Sequence, residues 1–168
     1  MTELILGFFS NLFGSSYIAE HIITIIISVL PVIELRGAIP CGVILGLPVH
    51  TAALISIVGN MIPVPFVILF SRKIFGWMRG KSIYLGRLAD SLEDRAKKKG
   101  MKLYRGMLIG LMIFVAIPLP GTGAWTGALI AAILDIRIKA AIPAIGAGVI
   151  IAGVLVAGIT FGFRSLLF

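Results

Sequence analysis

A chain of 168 residues that is 59% hydrophobic and only 13% charged, with a mean hydropathy of +1.10, is too apolar for a water-soluble domain and points to lipid as its main solvent. Its net charge of +8 does not indicate nucleic acid: eleven of its fifteen Lys and Arg residues lie between Arg72 and Arg105, flanked by long apolar segments, with only Phe75, Trp77, Tyr84 and Tyr104 there to stack on bases. The single cysteine, Cys41, excludes an intrachain disulfide framework and a cysteine metal cluster.

Read in chain order, the pattern predicts one membrane domain covering 1–168. Residues 1–16 are expected to form an interfacial helix, because the apolar run from Leu4 to Phe13 is shorter than the roughly 20 residues a crossing needs. No basic region precedes that run and no small-residue cleavage site follows, so no cleavable signal is expected. The first repeat, 17–71, opens with an apolar stretch from Ile18 to Ile33 that meets Pro31, then Glu34 and Arg36, before a spanning length is reached. This predicts one arm of a re-entrant hairpin, with Gly37 to Leu47 returning and Gly46, Leu47 and Pro48 forming the exit turn. Thr51 to Phe70 is long enough to cross, and its Asn60, Pro63 and Pro65 predict a kinked, protein-facing helix.

Residues 72–105 are polar and basic. Leu85, Leu88, Leu92 and Ala96 recur at helical spacing opposite Arg87, Asp90, Glu93 and Asp94, which predicts an amphipathic connector on the cytoplasmic surface. The second repeat, 106–168, follows the plan of the first. Gly106 to Ile117 is a short arm, Trp125 to Leu134 returns, and Ala140 to Phe163 crosses; Pro31 and Pro118 stand as far apart as Gly59 and Gly146. A hairpin that returns to its own side plus one crossing gives each half one net crossing, so the halves are expected to be inverted. Charge agrees, since Arg137 and Lys139 mark the second exit turn as cytoplasmic while the first carries only His50. The expected fold class is therefore an all-α integral membrane protein with an inverted-topology repeat. Each half is a re-entrant helical hairpin plus one transmembrane helix, and the cytoplasmic amphipathic helix joins them.

The chemistry concentrates in two stretches. Pro31 to Pro40 holds Glu34 and Arg36, and an ionisable residue near the bilayer centre costs about 2.5 to 3.5 kcal/mol on insertion scales. Side chains at i and i+2 do not meet on a regular helix, so a direct pair requires the non-helical backbone that Pro31, Gly37 and Pro40 favour. Two readings stand: a buried pair that pins the hairpin tip, or a site in which Glu34 accepts a proton or cation and Arg36 suits a phosphate or carboxylate. Helices restarting after Pro40 and after Gly123 would aim positive dipole ends at the midplane.

The second stretch, Ile117 to Gly127, carries no charge. Pro118, Pro120, Gly121 and Gly123 permit unwound backbone, Thr122 and Thr126 supply hydroxyls, and Trp125 lines the site or packs. Close packing through small residues is the other reading, because Gly42 and Gly46, Gly106 and Gly110, and Gly123 and Gly127 share the GxxxG spacing. No Lys follows these glycines, which excludes a P-loop. Both histidines, His21 and His50, lie in the first half, so no triad, metal site or cofactor is expected and the chain is not read as an enzyme.

The residues Glu34-Leu-Arg36-Gly37-Ala-Ile-Pro40 and Pro118-Leu-Pro120-Gly121-Thr-Gly-Ala-Trp125-Thr-Gly127 resemble the two signature stretches of the putative small multidrug export protein family. That family is similar to the DedA superfamily of membrane proteins with paired re-entrant hairpins. The resemblance covers Ile18 to Phe163 and implies a transporter of the cell inner (plasma) membrane. It implies Glu34, Arg36 and the backbone from Gly121 to Thr126 as the site. Through DedA it also implies an anionic lipid carrier such as a polyprenyl phosphate, moved with protons. The second stretch lacks the acidic residue of the DedA pattern.

Three functions are thus expected in turn: a secondary transporter or flippase for a lipid phosphate, an exporter of small cationic drugs, and a membrane scaffold acting through the basic cluster Lys97, Lys98 and Lys99. The partners expected are membrane lipid, a small amphipathic or lipid-phosphate substrate, a proton or cation as coupling ion, and a second copy in a homodimer that shields the broken hairpins.

Overall fold

The computed structural model describes residues 16–79, 105–119 and 121–167, and none of these lies in a strand. The expected interfacial helix and most of the expected amphipathic connector lie outside the described residues. The helices are α1 Ser16–Val29, α2 Glu34–Ile44, α3 Val49–Met61, α4 Pro63–Arg79, α5 Arg105–Ala116, α6 Ala124–Ile133 and α7 Ile138–Leu167. They fall into two compact units, one comprising 1–62 with 150–168 and the other 63–149.

Length separates these helices into two kinds. The stretches Val49–Lys73 and Ile138–Gly162 are each 25 residues of membrane-grade hydropathy. At about 1.5 Å per residue each reaches well past the roughly 30 Å apolar thickness of a bilayer. The helices α1, α2 and α6 have 14, 11 and 10 residues, which is too short to cross. Along the long stretches Leu54, Val58, Phe66, Phe70, Val154 and Phe161 are each 64% exposed or more. A soluble monomer does not tolerate so continuous an apolar surface; a chain solvated by lipid does, and this is a membrane protein.

The expected kink is present. Pro63 has no N–H to return to Gly59, so Ile62 donates to the Gly59 carbonyl instead (3.2 Å), and α3 gives way to α4 there. Most helix bounds lie within a few residues of those expected for the arms and crossings, although α4 continues nine residues past Phe70 to Arg79. Another exception is α2, which starts at Glu34 and carries Gly37 and Pro40 inside it, so the helix does not restart after Pro40.

In the first unit the three helices pack through residues with almost no side chain. Gly46 lies against the Glu20 carboxylate, so α2 runs back along α1. A Cβ on Gly42 would lie 3.0 Å from both Thr24 Oγ1 and the Ala52 Cβ, where α1, α2 and α3 meet. One turn further along α1 and two along α3, Gly59 meets Ser28 Oγ with no room for a Cβ. The two contacts advance together, so α1 and α3 are parallel, with α2 antiparallel to both. In the second unit Gly127 of α6 approaches the Val115 and Leu111 side chains of α5, and Gly148 of α7 approaches the Met112 carbonyl of α5. Of the GxxxG pairs, Gly106 and Gly110 have nothing within 4 Å of a Cβ position among the described residues.

Helices α2 and α6 end in the same way. Leu45, Gly46 and Leu47 donate to the carbonyls of Cys41, Val43 and Gly42 (2.9, 3.1 and 2.9 Å), and Leu134, Asp135 and Ile136 donate to those of Ile130, Ala132 and Ala131 (2.9, 3.3 and 2.9 Å). These are Schellman turns, and each needs a left-handed residue at its apex. Gly46 adopts φ +111 at no steric cost, whereas Asp135 adopts φ +50 with a side chain. Arg72 steadies the second turn: its guanidinium lies 3.5 Å from Asp135 Oδ1 and donates to the Ile136 carbonyl. Asp135 is thus held by an arginine far away in sequence.

Replacing Gly59 with Ala forces α1 and α3 apart at Ser28, and the expected loss is about 1 to 3 kcal/mol. Thermal unfolding in detergent checks this against Gly110→Ala, which has open space and is expected to leave the midpoint unchanged or slightly raised.

Candidate functional site

Two segments carry the predicted site residues, and each belongs to its own unit: 34–40 to the first, 118–126 to the second. In the first, the chain leaves α1 at Val29, turns through Leu30 to Ile33, and enters α2. The tip is apolar and outward-facing, with Val32 90% exposed. Glu34 donates its N–H to the Leu30 carbonyl (3.0 Å) and is the first residue of α2.

Glu34 combines two costs. Its side chain is 95% removed from the surface, being 5% exposed, and its backbone is left-handed at φ +52. A non-glycine residue in that region costs roughly 1 to 2 kcal/mol, and burial of a carboxylate costs more. Some of this is offset by position, because the first turn of a helix carries partial positive charge. Arg36, half-buried in the same turn, brings the opposite formal charge two residues away. The left-handed Glu34 departs from regular helix, the kind of break required for residues at i and i+2 to act together. The break comes from the turn after Pro31 and from Glu34 itself rather than from Gly37 and Pro40.

Gly37 is held against the Ile33 side chain, so it lets the tip fold back onto α2. Pro40 has no N–H to return to the Arg36 carbonyl, which removes one helical bond beneath the charged turn. Both act on the site through the backbone.

The second segment is built from backbone as well. Gly121 adopts φ +84, and Gly123 caps α6 in extended conformation with no side-chain cap. The Thr122 hydroxyl donates to the carbonyls of Ile117 and Leu119 (2.6 and 2.9 Å), folding the loop onto itself. This leaves Thr122 as an acceptor only. Pro118 is half-buried before the loop, Trp125 and Thr126 are half-buried in the first turn of α6, and Pro120 lies outside the described residues. The positive end of α6 therefore opens from an uncharged loop.

Sequence reasoning missed most of one polar set. Thr24, Ser28, Ser56 and Asn60 are all 0% exposed. Asn60 stands on the helix expected to face protein, while the burial of Ser56 one turn before it and of Thr24 and Ser28 on α1 emerges only in the folded chain. Among the described residues no group of three or more His, Cys, Asp or Glu is placed to hold a metal.

A family model described as "Putative small multi-drug export protein" matches residues 34–155, well over half of the chain, beginning at Glu34 and running through both signature segments. No curated protein and no solved structure matches.

If the left-handed conformation of Glu34 is a real constraint, side chains at this position sort by backbone rather than by polarity. Glu34→Gly is expected to unfold within about 1 kcal/mol of the parent chain, and Glu34→Val about 1 to 2 kcal/mol below Glu34→Gly, in the same thermal unfolding measurement.

Proposed function

The chain belongs to the putative small multi-drug export protein family, and we propose that it is a secondary transporter that exports small amphipathic cations, with Glu34 as the carboxylate that receives them. The observation that carries this reading is Glu34 itself: a carboxylate 5% exposed, in a strained backbone conformation, in an apolar chain. Residues kept in such conditions are kept for a partner or a purpose. Arg36 supplies the counter-charge when no substrate is bound, and a cation that displaces it gains a carboxylate already desolvated. Protonation of Glu34 releases the cation, so a proton is the natural coupling ion. The chain acts as a carrier rather than an enzyme.

Two features support an inverted-repeat architecture for this carrier. The Schellman turns at Gly46 and Asp135 are the same turn in each half, and the paired helices α1 and α5, α2 and α6 recur in the same order. With α1 and α2 too short to cross, we read each pair as a re-entrant hairpin, with the segments around Glu34 and Gly121 as their tips. The exposed Arg137 and Lys139 favour a cytoplasmic connector at the plasma membrane, and in this reading a homodimer covers the hairpins from lipid.

Arg36 favours a second reading. A half-buried guanidinium suits a phosphate, and resemblance to DedA proteins would make that phosphate the head group of a polyprenyl carrier. The two readings divide on one pair of variants. In proteoliposomes loaded with a fluorescent quaternary ammonium, Glu34→Gln is expected to reduce export to the level of empty liposomes, while Arg36→Ala exports at the parent rate or faster. Absence of export, with short-chain polyprenyl phosphate binding that is lost in Arg36→Ala, decides for the lipid carrier. Indifference to both variants, with a phenotype that follows neutralisation of Lys97, Lys98 and Lys99, decides for a scaffold.

A further inference from the structure

Helix α3 buries a polar face that the proposed export site does not use. Ser56 and Asn60 are one turn apart on that face and 0% exposed, and among the described residues Ser56 Oγ, Asn60 Oδ1 and Asn60 Nδ2 meet no hydrogen-bond partner. Leaving such groups unsatisfied in a dry interior costs roughly 1 to 3 kcal/mol each, so a set of three calls for a polar partner.

The surroundings specify what that ligand is. Between Ser56 and Asn60 on the chain lies Gly59, which seats directly on Ser28 Oγ of α1. The Ser28 proton is already committed to the Ile25 carbonyl (2.7 Å), so toward α3 that oxygen only accepts. The backbone beside Asn60 is also rich in acceptors. Ile62 turns its N–H to Gly59, 3.2 Å, rather than to Val58, and Pro65 has no N–H to offer the Met61 carbonyl. One amide oxygen, two hydroxyls and a proline-interrupted backbone thus lie on α3 and the α1 residue against it within about two turns of the break. That excess of acceptors disfavours an anion. The absence of a carboxylate from the set disfavours a divalent ion, which takes charged oxygen ligands. Neutral oxygens and interrupted-helix carbonyls are what a dehydrated alkali cation takes.

We infer that Ser56 and Asn60, with Ser28, form a coordination site for a monovalent cation of sodium size inside the first unit. Asn60 Oδ1, Ser56 Oγ and Ser28 Oγ are its side-chain ligands, carbonyls of the 58–61 turn add backbone oxygen, and Asn60 Nδ2 donates to a water that completes the shell. Gly59 is part of the site: a side chain there would displace Ser28 from it.

The test uses the purified full chain in detergent at pH 8. Its unfolding midpoint is titrated with sodium chloride and, at equal ionic strength, with N-methyl-D-glucamine chloride. The expected result is a saturable rise with sodium alone. Asn60→Asp adds charge to the ligand set and lowers the half-saturating concentration about tenfold; Ser56→Ala raises it about tenfold. Asn60→Leu, which fills the volume without ligands, abolishes the response. Equal effects of the two salts, or a sodium response that survives Asn60→Leu, overturns the site. If Asn60→Leu does not fold, the opposite shifts of Asn60→Asp and Ser56→Ala decide, because packing alone gives no such ordering. The readout is binding without transport, so its failure leaves the export reading of Glu34 standing.

Discussion

A helix of eleven residues reaches about 16 Å, roughly half the apolar depth of a bilayer, and that shortfall governs the rest of this structure. A helix that stops short in lipid leaves four donors or four acceptors at each end with no water to meet them. The chain must meet them itself. It does so by closing α2 and α6 with Schellman turns that use three backbone bonds each, and by burying Leu47 and Ile136 over the turns at 1% exposure. The same demand explains the glycines: short helices gain little area from large side chains, so Gly42, Gly59 and Gly127 bring backbone to within a methyl of the neighbour.

The two residues other than glycine that the described backbone holds in left-handed conformation are Glu34 and Asp135, and both are acids. Their situations differ. Asp135 is 59% exposed at the side chain and anchored by Arg72, so it is a structural charge in a turn that glycine serves in the other half. Glu34 is buried at the opposite end of a helix, at its positive first turn and two residues from Arg36. The same backbone strain thus stands once in an exposed turn and once in a buried one.

Much of this was legible in the sequence. Proline and glycine punctuation, with apolar runs too short to cross, predicted every helix among the described residues, because those signals are local. The start of α2 was misread for a related reason. Pro31 and Pro40 are both helix breakers, and only the exposed turn at Val32 reveals which one breaks it; Pro40 costs a single bond in a helix that packing holds anyway. The pairing of Arg72 with Asp135 and the burial of Ser56, Thr24 and Ser28 were beyond reach, since each depends on which faces meet after folding, whereas Asn60 already marked its helix as protein-facing. The glycine spacing misled in the other direction: Gly106 and Gly110 have the dimer-like interval and meet nothing within 4 Å of a Cβ position among the described residues, because spacing marks a smooth face without saying what lies against it.

The contacts of α1 with its neighbours bear on how this protein can move. At Thr24, α1 meets Gly42 of α2, and at Ser28 it meets Gly59 of α3, each with less clearance than an ordinary methyl contact. A single pin between two helices leaves a pivot about which they can swing, and each neighbour of α1 has one such pin. Sliding is another matter, since translation of α1 along either neighbour drives a hydroxyl into backbone. The fold thus leaves rotation at these crossings cheaper than translation along them.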